Sequence, residues 1–136
     1  MELQQQLASV ALLSDLDDRV RRRLADTGKR RTYSAEQTIV TQGSTGSAFY
    51  IVLSGHARVE RDGQVIGQVG SGDFFGELAL IEEHGRTASV IATEETECLL
   101  FAAWEFTALL EEHPELAVQI MKVLIGRQHR REHHND

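Results

Sequence analysis

The sequence predicts an α+β chain that is mainly β, an antiparallel roll or barrel with helices at both ends. Between positions 30 and 103, six to eight short apolar runs follow one another closely, each parted from the next by glycine or a charged turn. That spacing favours antiparallel strands over an alternating α/β plan. On either side the apolar period lengthens: Leu16, Val20 and Leu24 recur every fourth residue, and Trp104, Phe106, Leu109 and Leu110 suit a helix. At 136 residues the chain fits one domain with a modest core of its own. The expected division is N-terminal helices over 1–29, the roll over 30–103 and C-terminal helices over 104–136.

Residues 2–12, with leucines and alanines in a Gln-rich setting, fit a short helix. Ser14 and Asp15 offer caps for the next one, an amphipathic helix with a basic outer face that Gly28 closes as C-cap. From Arg30 the period falls to two. Thr32 to Gln42 supplies short strands around Thr38-Ile39-Val40, and Gly43 to Gly46 turns. Phe49-Tyr50-Ile51-Val52-Leu53 is the strongest strand, ended by Ser54-Gly55. His56 to Arg61 alternates with Ala57 and Val59 inward, Asp62-Gly63 signals a tight hairpin, and Val65, Ile66 and Val69 form the return strand. Gly70-Ser71-Gly72-Asp73 is a turn. Thr87 to Thr93 and Thr96 to Phe101 are two more strands, separated by Glu94-Glu95.

The helix holding Trp104 should stop at His113, because Pro114 restricts the residue before it and lacks an N–H. Pro114 then suits the first turn of a last helix. Leu116, Ala117, Val118, Ile120, Met121, Val123, Leu124 and Ile125 nearly encircle that helix, so it should be covered on two sides. After Gly126 the chain turns polar enough to fray.

Composition narrows the function. A net charge of −7 argues against nucleic acid as the partner of this segment, since binding a phosphate backbone needs a basic face. The clusters Arg19 to Arg31 and Arg127 to Arg131 read as solvated helix faces. The single cysteine, Cys98, lies in an apolar run and reads as a small buried hydrophobe. No signal peptide or membrane span is evident, which makes the cytosol the expected compartment. His129 and His133 share helical spacing but have no third ligand, and Ser71, Ser89 and Cys98 have no neighbouring base, so neither a metal site nor an enzyme is expected.

One stretch carries chemistry. Between Arg61 and Lys122 the sequence holds twelve carboxylates and a single cation, Arg86. Upstream, Gly76 opens a short apolar segment, Glu77-Leu78-Ala79-Leu80-Ile81, long enough for one or two helical turns. A first turn presents unpaired N–H groups and the positive end of the backbone dipole, and a glycine lets a ligand approach them. Glycine turn and arginine together suggest an anion cradle. A carboxylate at Glu77 would repel a bare phosphate, but it fits a ligand that also brings a hydroxyl donor. Alternatively, Glu77 complements the helix dipole and Arg86 pairs with it across the loop.

The string Phe75-Gly76-Glu77-Leu78-Ala79-Leu80, a loop from Ile81 to Gly85, and the close Arg86-Thr87-Ala88 resemble the phosphate-binding cassette of the cyclic nucleotide-binding domain family. Counterparts of other family features lie at Gly43 to Ser47, Tyr50 to Gly55 and Ser71 to Phe74, so the resemblance spans nearly the whole chain. It departs at Gly85, where many members have proline. The resemblance implies a jelly-roll-like antiparallel β-roll in which a short cassette helix lies within residues 74–90. It implies that Arg86 binds the cyclic phosphate, Glu77 the ribose 2′-hydroxyl, and the backbone amides of Gly76, Leu78, Ala79 and Ala88 the ring oxygens. Ile66 and Val69 align with positions that line the base pocket in relatives, though both suit ordinary core. Thr87 tilts the choice between cGMP and cAMP toward cGMP, and Arg131 or Gln128 on the last helix would lid the base.

The expected function is a sensor that reports a cyclic mononucleotide by moving its last helix, which also pairs with its copy in a homodimer. The rival readings are a degenerate relative that only dimerises, or the sensor part of a transcription regulator whose DNA-binding part lies outside this chain.

Overall fold

The structure, a computed structural model, describes residues 3–8, 13–44, 48–76 and 87–135, with the backbone alone for 4, 5, 8 and 127–135. In chain order the elements are α1 (Leu3–Ala8), α2 (Asp18–Thr27), β1 (Lys29–Tyr33), β2 (Thr38–Val40), β3 (Ala48–Ser54) and β4 (His56–Arg61). There follow β5 (Gln64–Gly70), β6 (Phe74–Phe75), β7 (Ser89–Ala92), β8 (Thr96–Ala102), α3 (Ala103–Glu112) and α4 (Pro114–Asn135). The strands form two four-stranded antiparallel sheets, ordered β1-β8-β3-β6 and β2-β7-β4-β5. This is the expected roll.

Why β3 is apolar from Ala48 to Leu53 becomes clear from its two faces. Phe49, Ile51 and Leu53 join Leu7, Leu13, Leu16, Val20, Leu24, Phe106, Leu109, Leu116 and Ile120 in a core between the first sheet and the helices. Tyr50 and Val52 point the other way, into a core between the sheets with Tyr33, Ala57, Val69, Phe75, Val90, Ala92 and Cys98. A strand buried on both faces cannot alternate polar and apolar residues. Each such side chain contributes about 1.5–3 kcal/mol by leaving water. The same division splits β6: Phe74 lies 5.5 Å from Phe49 on the helical side, and Phe75 stacks on Tyr50 at 4.6 Å between the sheets.

Several local details differ from the sequence reading. The cap of α2 is Asp17, whose carboxylate accepts from the Arg19 N–H at 2.9 Å, and not Ser14 or Asp15. Residues 13–16 form a separate turn closed by Leu16 N–H to the Leu13 carbonyl, with Arg21 donating to the carbonyls of both leucines. Leu16 is therefore buried from that turn, and the orphan donors begin only after it. Gly28 does cap α2, but in an extended conformation (φ −74°, ψ 158°). A Cβ there would lie 2.6 Å from Leu99 Cγ, so the glycine serves close packing of α2 on β8 and no left-handed turn. At Asp62 and Gly63 both φ angles are positive, 54° and 81°, as a type I′ hairpin requires.

At the C-terminal end, Glu105 accepts from the Ala102 N–H at 2.9 Å, and the His113 N–H bonds the Leu109 carbonyl at 2.8 Å to end α3. Helix α4 then runs through Gly126 to Asn135, where fraying was expected. One glycine costs only about 1 kcal/mol, and the Arg, Gln and Glu residues that follow are good helix formers. Leu116 and Ile120 of α4 are buried against the core, whereas Val118, Met121 and Ile125 form a stripe that is 43–57% exposed. The expected second cover is absent within the described residues of this chain. Among those residues no helix is long and apolar enough to cross a membrane.

Candidate functional site

The corner before the cassette is tightly fastened. The Val52 N–H donates to the Asp73 carbonyl (2.8 Å), the Gly72 N–H to the Val52 carbonyl (2.9 Å), and the Ser71 hydroxyl to the Leu53 carbonyl (3.0 Å). The Asp73 carboxylate accepts the Gly70 N–H at 2.8 Å. The chain thus leaves β6 from a rigid support, and at Gly76 it adopts φ +86°, a left-handed value that glycine takes without strain. The cassette departs from the edge of one sheet and re-enters the other at β7.

Glu77, Leu78, Ala79 and Arg86, the residues on which recognition of phosphate and sugar is expected to rest, lie outside the described residues. So do the loop from Ile81 to Gly85 and part of the Gly43 to Ser47 turn. Arg131 and Gln128 lie on α4, and their side chains are likewise outside the description. Thr87 is exposed and Ala88 half-buried at the cassette's exit. The strand expected from Thr87 begins two residues later, at Ser89. Its first carbonyl is occupied otherwise: Arg61 Nε donates to the Thr87 oxygen at 3.1 Å.

Strand β4 lies between β5 and β7, which brings the expected base-pocket residues to the same sheet as the cassette exit. Ala57 pairs with Val69 on one side and Ala92 on the other. Val69 is 7% exposed and belongs to the core between the sheets. Ile66 is 51% exposed. The pairing of β4 with β5 steps from Val59–Gly67 to Glu60–Val65, which leaves Ile66 as the extra residue of a bulge. Bulges re-aim side chains beside functional sites.

Charge on this sheet is unevenly committed. Arg58 is engaged by Glu60 and by Glu36 at 2.7 Å, and these carboxylates raise its pKa further. Arg61 reaches the cassette exit through its bond to the Thr87 carbonyl, a cation that is remote from that exit in sequence. The sequence reading missed Arg61 because strand pairing, and no spacing rule, places it there. Its one available signal was its position immediately before the Asp62-Gly63 hairpin. Cys98 is buried and its thiol is pushed up to about 12 by that burial, so it is inert between the sheets. Among the described residues no three His, Cys, Asp or Glu side chains converge as metal ligands.

The profile of the cyclic nucleotide-binding domain matches residues 30–113. A cAMP-dependent protein kinase regulatory subunit from Schizosaccharomyces pombe is 37% identical over 105 residues, which cover 76% of this chain and 26% of that protein. Lysophospholipase NTE1 of Phaeosphaeria nodorum is 37% identical over 99 residues, 69% of this chain but 6% of the relative. The chain thus spans about a quarter or less of these curated relatives. The crystal structure of Thermus thermophilus catabolite activator protein superposes with a TM-score of 0.80 at 31% identity, covering 92% of this chain and 61% of that one. The matched span holds both sheets but for Lys29, together with the whole cassette, and on that ground the chain belongs to the cyclic nucleotide-binding domain family.

Proposed function

We propose that this domain is a regulatory module that binds one cyclic mononucleotide and has no catalytic role of its own. Arg86 neutralises the cyclic phosphate, Glu77 accepts the ribose 2′-hydroxyl, and the amides of Gly76, Leu78, Ala79 and Ala88 surround the ring oxygens. The observation that carries this reading is the unbroken cassette from Phe75 to Ala88 within a chain of this family. The left-handed Gly76 and the exposed Ile66 and Thr87 support it, the last two as groups still free to meet a base. Thr87 favours cGMP through a hydroxyl bond to guanine. A second reading, cAMP, is favoured by the name of the kinase regulatory relative.

Binding is read out through α4. A ligand shifts a conformational equilibrium only by its difference in affinity for the two states. Arg131 or Gln128 would lid the base in the bound state, and the stripe of Val118, Met121 and Ile125 pairs two copies through α4. The degenerate alternative keeps the pairing and binds nothing.

Calorimetry on the full chain with cAMP, cGMP and AMP tests the proposal. The expected result is a single site for a cyclic nucleotide, little for AMP, and loss of binding in Arg86→Ala. A site saturated a hundredfold above its Kd adds about 2.7 kcal/mol of stability, visible as a thermal shift. Unchanged affinity in Arg86→Ala overturns the assignment, and the ratio of the two wild-type affinities decides the base.

A further inference from the structure

Residues 87–89 are held from two directions. Arg61, the last residue of β4, donates from Nε to the Thr87 carbonyl at 3.1 Å. The Gln42 N–H donates to the Ser89 hydroxyl at 2.8 Å. The Gln42 side chain in turn exchanges two hydrogen bonds of 2.9 Å with Asp62, the neighbour of Arg61. The tip of the β4–β5 hairpin is therefore bound to the cassette exit.

The Thr87 carbonyl and the Ala88 N–H belong to one peptide unit. That unit is planar and trans, so its C=O and N–H point in opposite directions. Fixing the oxygen on Arg61 fixes the direction of the N–H. Among the described residues the Ala88 N–H has no acceptor, although Ala88 is half-buried. A buried or partly buried donor without a partner is suited to an incoming anion.

Resting on the cyclic nucleotide reading, we propose that Arg61 is a positioning residue for phosphate recognition: it pins the 87–88 peptide plane so that the Ala88 N–H is aimed at the ligand before it arrives. A donor set in place beforehand avoids the ordering cost at the moment of binding. Arg61 acts on the phosphate through this plane and not on the base, so its effect is the same for cAMP and cGMP.

The test is calorimetry of cAMP and cGMP with the full chain as wild type, Arg61→Ala and Arg61→Lys, beside melting curves without ligand and amide NMR. Arg61→Ala should weaken both nucleotides by about tenfold, the scale of one charge-assisted hydrogen bond. Arg61→Lys, which keeps a donor, should recover most of that loss. The Ala88 amide proton should shift downfield on ligand binding in the wild type and fail to do so in Arg61→Ala. Affinity within twofold of wild type in Arg61→Ala overturns the proposal while leaving the nucleotide reading intact. So does a loss that lysine fails to restore and that follows a fallen melting temperature, since it marks a purely structural part. A wild-type chain that binds neither nucleotide overturns the nucleotide reading, and this proposal with it.

Discussion

Gly55, between β3 and β4, turns at φ +93°, and a Cβ there would sit 2.5 Å from the Glu95 carbonyl oxygen. Backbone cannot yield as a flexible side chain can. Gly55→Ala should cost about 1–3 kcal/mol from the dihedral alone and lower the melting temperature by roughly 5–10 °C, as a thermal denaturation curve would record. Glu36 makes the contrast: it too is left-handed, at φ 70°, yet it is exposed and its carboxylate holds Arg58. At this scale the sequence was partly legible. Ser54-Gly55 and Asp62-Gly63 announce turns because glycine's chemistry is local. Gly28 does not announce its reason, because the atoms that forbid a side chain there belong to Leu99 and Phe101, some seventy residues away.

Among elements, β1 is the least legible. Its residues Lys29, Arg30, Arg31 and Thr32 are all exposed, with Tyr33 alone buried, so no apolar alternation marks it. Pairing with β8 makes it a strand, and its charges suit a sheet edge that must not pair further. A carboxylate fastens that edge: Glu97 of β8 accepts from Arg30 at 2.9 and 3.2 Å, and from Gln6 of α1 at 3.4 Å. The Arg30 hydrogen bonds, foremost, hold the Glu97 carboxyl below its ordinary 4.5. A depressed folded value means that stability from this contact is present above the ordinary carboxylate pKa and fades as pH falls through the folded one. Glu97→Gln should therefore melt below wild type at pH 7, with the gap closing at acid pH, beneath about 4.5. A gap independent of pH would refute the linkage. By contrast, β3 and the two C-terminal helices were plain from sequence. Burial on both faces, and a proline at a helix start, leave marks within a few residues.

For the molecule as a whole, the general plan was readable from the sequence, and the way the strands are shared between the two sheets was not. Counting short strands between glycines leads to the roll, but it does not show that β6 and β7 lie in different sheets. Nor does it show that Arg61 meets Thr87 across β4 and β7. The two-sided cover expected for α4 is half satisfied: one flank packs on the core and the stripe of Val118, Met121 and Ile125 is open to solvent. If copies pair through that stripe, light scattering should report a dimer that Met121→Glu converts to a monomer. Because Met121 is 53% exposed, the folded monomer should lose no more than about 0.5 kcal/mol. A wild-type monomer at tens of micromolar would dismiss this pairing.

Immediately before the cassette, two consecutive rings are lodged in different compartments, Phe74 beneath the helices and Phe75 beside Tyr50. Because tightly packed interiors move between discrete arrangements and do not deform smoothly, any tug on Gly76 is felt in both at once. A displacement of Gly76 would therefore have to be accommodated on the helical side of the sheet and between the two sheets together.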